Sequence, residues 1–347
     1  MVIYLGLDQL KKMSSDRRFD DFLDNLMTCY KEGKHIVIIE AKALIKLLNR
    51  SSTSDRNKKI LEYYYSKFST TNSIMNKIFK YVNITSEYEG IEFKSSKKII
   101  NINFTNFTDS NCIQKSIILV ENGNDGKFYE SVAKYYALRD GLLNYKICST
   151  IQTGGGNTIS EEYKTIFEKK ENFCLCLLDR DKKRSNKKNW GDTALRVVQY
   201  SKNRPFENLK CDYIILPLLE IENLVPIRFY ELISNSADHK VSFDNLQLYL
   251  TQNPGSRRYI DFKRDTDYQC EFWKSYSCHS QTQVISDGEK QILFKSYGNK
   301  IIEKFNKLNF EEKIKLIKSD NLIERIWEKI GKYIYQFIIG SEPIRIT

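Results

Sequence analysis

The chain has 347 residues, 41% of them hydrophobic, which is enough for a packed core and too long for one small domain. Lysine and arginine outnumber the acids 55 to 44, a formal charge of +11, which leans toward polyanionic partners. An abundance of Lys, Asn, Ile and Tyr lets composition alone account for that charge.

Eight cysteines in a chain of this length are not a disulfide framework, and Cys174 and Cys176 sit in one apolar run as core residues. No apolar run reaches the ~18 residues of a membrane span, and no secretory pattern opens the sequence. A reducing cytoplasm, without a membrane partner, is the expected setting.

Residues 1–112 read as a mixed α/β region without a nameable motif. A buried strand covers 35–40, helical spacing of Leu44, Ile45, Leu47 and Leu48 follows, and 58–68 and 74–81 read as helices. Residues 98–104 alternate as a strand.

Residues 113–235 have a clearer rhythm. Residues 116–120 form a continuous apolar strand ending in Glu121. Residues 126–139 place Phe128, Val132, Tyr135 and Tyr136 at helical offsets. A second strand at 145–149 precedes Gly154-Gly155-Gly156, and a second helix covers 158–169. A third strand at 173–178 runs into Asp179-Arg180-Asp181 and a basic loop. A helix at 193–201 and a fourth strand at 212–216 follow; Pro217 ends that strand, and 220–232 read as a helix. Strands alternating with helices imply a mainly parallel, Rossmann-like sheet covered on both faces, so the fold class is α/β. Residues 236–347 read as mainly helical, with helices expected at 290–305 and 316–337.

The acids fall at strand ends. Glu121 ends the first central strand, Asp179 and Asp181 the third, and Glu220 and Glu222 follow the fourth. Ligands of such sheets bind beyond the carboxyl ends of the strands. Carboxylates converging there cannot all stay charged without a compensating cation. Mg²⁺ or Mn²⁺ suits all-oxygen ligands. In an extended strand end, the two acids of Asp-x-Asp would project the same way.

Glu121-Asn122-Gly123-Asn124-Asp125, then a glycine turn, then Leu178-Asp179-Arg180-Asp181, then Pro217-Leu218-Leu219-Glu220-Ile221-Glu222-Asn223 resemble, in order, the motifs of the TOPRIM domain. That domain occurs in topoisomerases, primases and OLD-family nucleases. The last stretch resembles that of OLD-like and DUF4435-type TOPRIM proteins, some of which serve antiphage defence. Asn122 stands where the family usually has Gly. The resemblance implies a metal-dependent endonuclease cutting DNA or RNA. Asp179 and Asp181 would hold the metal, with Glu222 and Glu220 beside them, and Glu121 would bind metal or act as general acid/base. Two-metal hydrolysis would divide water activation and leaving-oxygen stabilisation between two ions. Gly154, Gly155 and Gly156 would let backbone approach a phosphate. Lys127 and the loop residues Lys182, Lys183, Arg184, Lys187 and Lys188 would neutralise phosphates.

The motif Gly-x-x-x-x-Gly-Lys-Ser/Thr is absent, so an ATPase, where one is needed, is expected as a separate partner. The sequence leaves homo-oligomerisation open. Competing readings are a primase- or topoisomerase-like enzyme, and a non-catalytic structural or nucleic-acid-binding subunit with a degenerate site. Cys270, Cys278 and His279 lack the paired-cysteine spacing of a zinc knuckle.

Overall fold

The computed structural model describes residues 1–181, 190–205 and 207–345. The N-terminal part builds a five-stranded sheet. Its strands are β1 (Val2–Leu5), β2 (Ile36–Ile39), β3 (Lys80–Thr85), β4 (Gly90–Lys94) and β5 (Lys97–Asn103), in the order β2-β1-β3-β5-β4. All pairs are parallel except the edge pair β4–β5.

The expected helix at 74–81 is a single 3-10 turn, Ile74–Asn76, running into β3. Val82 and Ile84 of β3 are buried, so tertiary pairing beside β1 overrides the local helical spacing.

The central sheet is wholly parallel. It comprises β6 (Ser116–Val120), β8 (Ser149–Thr153), β9 (Cys174–Leu178) and β10 (Cys211–Ile215), in the order β10-β9-β6-β8. The intervening β7 (Lys146–Ile147) belongs elsewhere and pairs with β14 (Ile339–Gly340). The expected second strand is therefore displaced: the sheet member is β8, directly before the glycine turn.

Alternation along these buried strands serves two cores. Ile118, Val120, Leu175 and Leu177 face one cluster, while Ile117, Leu119, Cys174, Cys176 and Leu178 face the other. The helices Ile159–Lys169 and Asp192–Lys202 cover the second face, contributing Tyr163, Phe167 and Val197.

The first face carries the helix Gly123–Arg139, on which the long C-terminal helix Asn321–Ile338 packs. Trp327 lies edge-on to Phe128 and Tyr135, with ring centroids at 5.1 and 6.0 Å. Gly331 permits this close approach, since a Cβ there would stand 2.7 Å from the Val132 carbonyl oxygen.

The C-terminal part is helical for the most part. It also contains a small antiparallel sheet in which β13 (Lys290–Phe294) lies between β11 (Thr266–Asp267) and β12 (Ile285–Asp287). The helix expected over 290–305 is thus a strand followed by the short helix Ile301–Asn306. Residues 220–232 likewise divide into a 3-10 turn, Ile221–Leu224, and the helix Ile227–Ile233. Pro226 stands between them and cannot donate a helical hydrogen bond. Among the described residues, no helix is long and apolar enough to cross a membrane.

Candidate metal centre

Parallel pairing in register brings the carboxyl ends of β6, β9 and β10 to one edge. Glu121 follows β6 directly. Asn122 then caps the helix Gly123–Arg139: its side chain accepts the amides of Asn124 (2.9 Å) and Asp125 (3.2 Å), and Asp125 accepts the Asn122 amide (3.2 Å). Asn122 therefore opens the helix as an N-cap.

Asp179 follows β9 and is half-buried. The extended geometry expected through Asp181 does not hold. The amides of Arg180 and Asp181 both donate to the Leu219 carbonyl at 3.0 Å, and Asp181 takes a left-handed backbone with φ +51°. The strand has ended at Leu178, so side-chain alternation no longer applies. Gly191 accommodates this turn, because a Cβ there would lie 2.5 Å from Asp181 Cβ. A strained conformation at this position costs about 1–3 kcal/mol.

Beyond β10, Glu220 caps the 3-10 turn and Glu222 lies on it. Asn223 fixes that turn: its side chain accepts the Glu220 amide (3.1 Å) and donates to the carbonyls of Arg257 (2.7 Å) and Ile260 (2.9 Å). The buried Arg257 donates to the Asn223 carbonyl and pairs with Asp320 at 2.7 Å. These bonds carry the chain to Lys263. Its ammonium stands 3.1 Å from Glu222 Oε2 and 3.6 Å from Glu220 Oε2. Apart from that ion pairing, neither oxygen has a hydrogen-bond partner among the described residues.

The charges act on one another. Burial pushes the Asp179 carboxyl well above the usual range, and Glu121 and Glu222 add to the shift. Glu121 is raised by burial and then by Asp181, with Lys263 opposing. Burial raises Glu222 against the pull of Lys263. Asp125 and Glu220 are each pushed up to about 7, chiefly by burial. Burial alone would lower Lys263, but Glu222, Glu220 and Asp179 overcome it and raise it. The buried Tyr129 phenol is raised by burial and by Asp179 and Asp125.

Among the described residues, no three Asp, Glu, His or Cys side chains stand together as a ready ligand set. The donor set nevertheless fits a hard divalent ion. It is all carboxylate, it is desolvated, and two of its buried oxygens stand beside a lysine with no other hydrogen-bond partner among the described residues.

A cleft of about 440 Å³ opens beside the acids, lined by Asn122, Asp125, Lys127, Glu222, Asn299 and Glu303 among others. Lys127 is exposed on its wall. In the glycine turn, the Gly154 and Gly155 amides are taken by the carbonyls of Val120 (2.8 Å) and Glu121 (3.2 Å). A Cβ on Gly154 would meet Ile159 Cα at 2.4 Å, and Gly155 and Gly156 have φ near +60° (63° and 59°), so close packing and the turn itself require the glycines. Lys182, Lys183, Arg184, Lys187 and Lys188 lie outside the described residues.

Sequence reasoning missed Lys263. It lies in an aromatic and charged stretch where no spacing marks it, and tertiary bonds such as those of Asn223 and Arg257 bring it to the acids. Comparison with protein-family models, curated proteins and solved structures returned no match.

Proposed function

We propose that this chain is a TOPRIM-type, divalent-metal-dependent nuclease acting on phosphodiester bonds. The observation that carries the reading is the convergence of Glu121, Asp179 and Glu222, with Glu121 and Glu222 both raising the buried Asp179 carboxyl. These residues follow three adjacent strands of one parallel sheet at its carboxyl edge.

Asp179, Asp181 and Glu121 would hold Mg²⁺ or Mn²⁺, with Glu222 and Glu220 beside them. A bound ion would polarise the phosphoryl group and offset the developing negative charge. Around it, Lys127 reaches a substrate phosphate from the cleft wall. With Glu121 off the ion instead, its raised carboxyl would exchange a proton at the attacking or leaving oxygen. Service as a toxic antiphage effector beside a separate ATPase, in the cytoplasm, belongs to the same proposal and rests on the motif resemblance.

The test is incubation of the pure chain with plasmid, single-stranded DNA and RNA under Mg²⁺, Mn²⁺ or EDTA, with product ends mapped. Metal-dependent cleavage that EDTA abolishes supports the reading, and cleavage indifferent to EDTA overturns it. One observation favours a second reading. Lys263 already pairs with Glu220 and Glu222, as it would in a non-catalytic subunit whose acids serve the fold. Absence of cleavage on every substrate, with full folding and no metal binding, would select that reading.

A further inference from the structure

We infer that the cavity along the outer edge of β10 is a binding site for adenosine monophosphate. It does not depend on the metal-dependent reading above.

β10 is an edge strand of the central sheet, paired with β9 alone among the described residues. The Lys210 carbonyl accepts the Cys174 amide (3.0 Å), and the Leu216 amide donates to the Leu178 carbonyl (2.9 Å), so the even-numbered residues here bond to β9. Alternate residues of a parallel ladder turn their backbone groups the other way, which sends those of Tyr213 and Ile215 to the open side. The Tyr213 amide is taken by the Asp212 side chain at 3.0 Å. The Tyr213 carbonyl and the Ile215 amide and carbonyl have no hydrogen-bond partner among the described residues.

A cavity of about 420 Å³ lies against this edge. Its walls Leu175, Ile330 and Phe337 belong to the first core cluster. Tyr213 and Ile215 also line it, yet their side chains pack on the second cluster, so they meet the cavity with their backbone. Lys98 and Asp212 stand at the same cavity. The Asp212 Oδ2 takes the ammonium of Lys80 at 3.0 Å and that of Lys98 at 3.4 Å. Burial alone would raise the Asp212 carboxyl, but Lys80 and Lys98 overcome it and lower it, so one carboxylate answers two ammoniums. Lys329 adds another on the wall.

Volume and lining are those of a small-molecule site: apolar walls with a few polar groups. A pairing peptide strand would find little to hold, since only Tyr213 and Ile215 turn outward before Pro217, which has no amide. The free backbone groups read acceptor, donor, acceptor. Adenine answers them with its amino donor, its ring-nitrogen acceptor and then a C–H, which a carbonyl accepts weakly. Cytosine ends that edge in a carbonyl, which would face the Ile215 carbonyl. Guanine and uracil place a carbonyl where the Tyr213 carbonyl needs a donor. The surplus ammonium charge then suits a phosphate on the nucleoside.

The experiment is calorimetric titration of the full chain in EDTA with adenosine monophosphate, adenosine, inorganic phosphate, and the guanosine, cytidine and uridine monophosphates. Adenosine monophosphate is expected to bind one site, and each of the others to bind about tenfold or more weakly. Lys98→Met should weaken adenosine monophosphate about tenfold and leave adenosine unchanged. Ile215→Pro removes the outward amide, which an edge strand tolerates, and should weaken both. Where Ile215→Pro fails to fold, the contrast between the two ligands in Lys98→Met carries the test. No binding of adenosine monophosphate to folded protein would overturn the inference, as would equal affinity for all four mononucleotides. Phosphate binding as tightly as the nucleotide would mean a plain anion site, and an unchanged affinity in Lys98→Met would place the nucleotide elsewhere. Self-association that Ile215→Pro abolishes, without nucleotide binding, would give the edge to strand pairing instead.

Discussion

The chain contains two mainly parallel sheets, and their carboxyl edges differ in one instructive respect. At the N-terminal sheet, β2 also ends in an acid, Glu40, but its carboxylate accepts the Leu7 amide at 2.9 Å. The Asn103 side chain at the end of β5 accepts the Thr105 amide and donates to the Ser86 carbonyl. Ser86, just past β3, is held by Gln9. Polar groups at that edge are satisfied by neighbours and close the fold. At the central sheet, burial raises Asp179, Glu121 and Glu222, Glu121 and Glu222 add to the shift of Asp179, and Lys263 opposes all three. An acid at a strand end is thus an ordinary structural group until several converge in a buried edge.

The largest effect that could break this contrast lies in the acids themselves. Asp179→Asn/Asp181→Asn is expected to lower metal-dependent cleavage about a thousandfold or more, on the scale of losing catalytic groups. The metal-free melting temperature should rise slightly as repulsion is relieved. Glu40→Gln, the counterpart at the other edge, should leave cleavage unchanged and cost about 1 kcal/mol or less in chemical denaturation. Comparable activity losses in both variants would erase the distinction.

A second variant addresses how the lysine reaches the edge. Arg257 and Asp320 form a buried pair, and breaking such a pair costs about 3–5 kcal/mol. Arg257→Met should lose stability on that scale in urea unfolding and loosen the segment that delivers Lys263. A loss below about 1 kcal/mol would show that the pair is not what anchors it.

Acidity offers a smaller, reversible probe. Asp125 and Glu220 keep their protons up to about 7, above the ordinary 3.8 and 4.5, so the folded chain holds protons that the unfolded chain releases. Their stabilising contribution is complete below the unfolded values and is lost as pH rises through about 7. The EDTA-treated protein should therefore melt at falling temperature from about pH 5 to about pH 8. Saturating Mg²⁺ should flatten the slope, because a cation favours the charged carboxylates. The opposite slope in EDTA would mean that the edge is already neutralised.

The smallest expected effect belongs to Lys127. Lys127→Ala should weaken nucleic-acid binding alike across sequences and reduce the slope of log affinity against log salt by about one unit. An unchanged slope would place the substrate path away from this wall.

β6 and β9 were legible in the sequence because each is a near-continuous apolar run, whereas the polar β8 lies beyond the expected 145–149. Such a run, buried on both faces, stops where a charged residue cannot follow it inward. Thus β6 and β9 were read to within a residue, and Glu121 and Asp179 came with them. The N-terminal sheet was less legible. Its β3 is specified by pairing with β1 and β5 across a long separation, and its local spacing is compatible with a helix.

Within the site, local sequence determined that Glu121 and Asp179 stand at the edge, since each directly follows its own strand. It did not determine the turn of Asp181 onto the Leu219 carbonyl, which needs β10 beside β9. Nor did it determine the cation: Lys263 meets Glu222 only because Asn223, Arg257 and Asp320 tie distant segments together in the interior. Side chains that answer to their own strand are written in the local pattern. A counter-charge delivered from elsewhere is set by packing that no local pattern encodes.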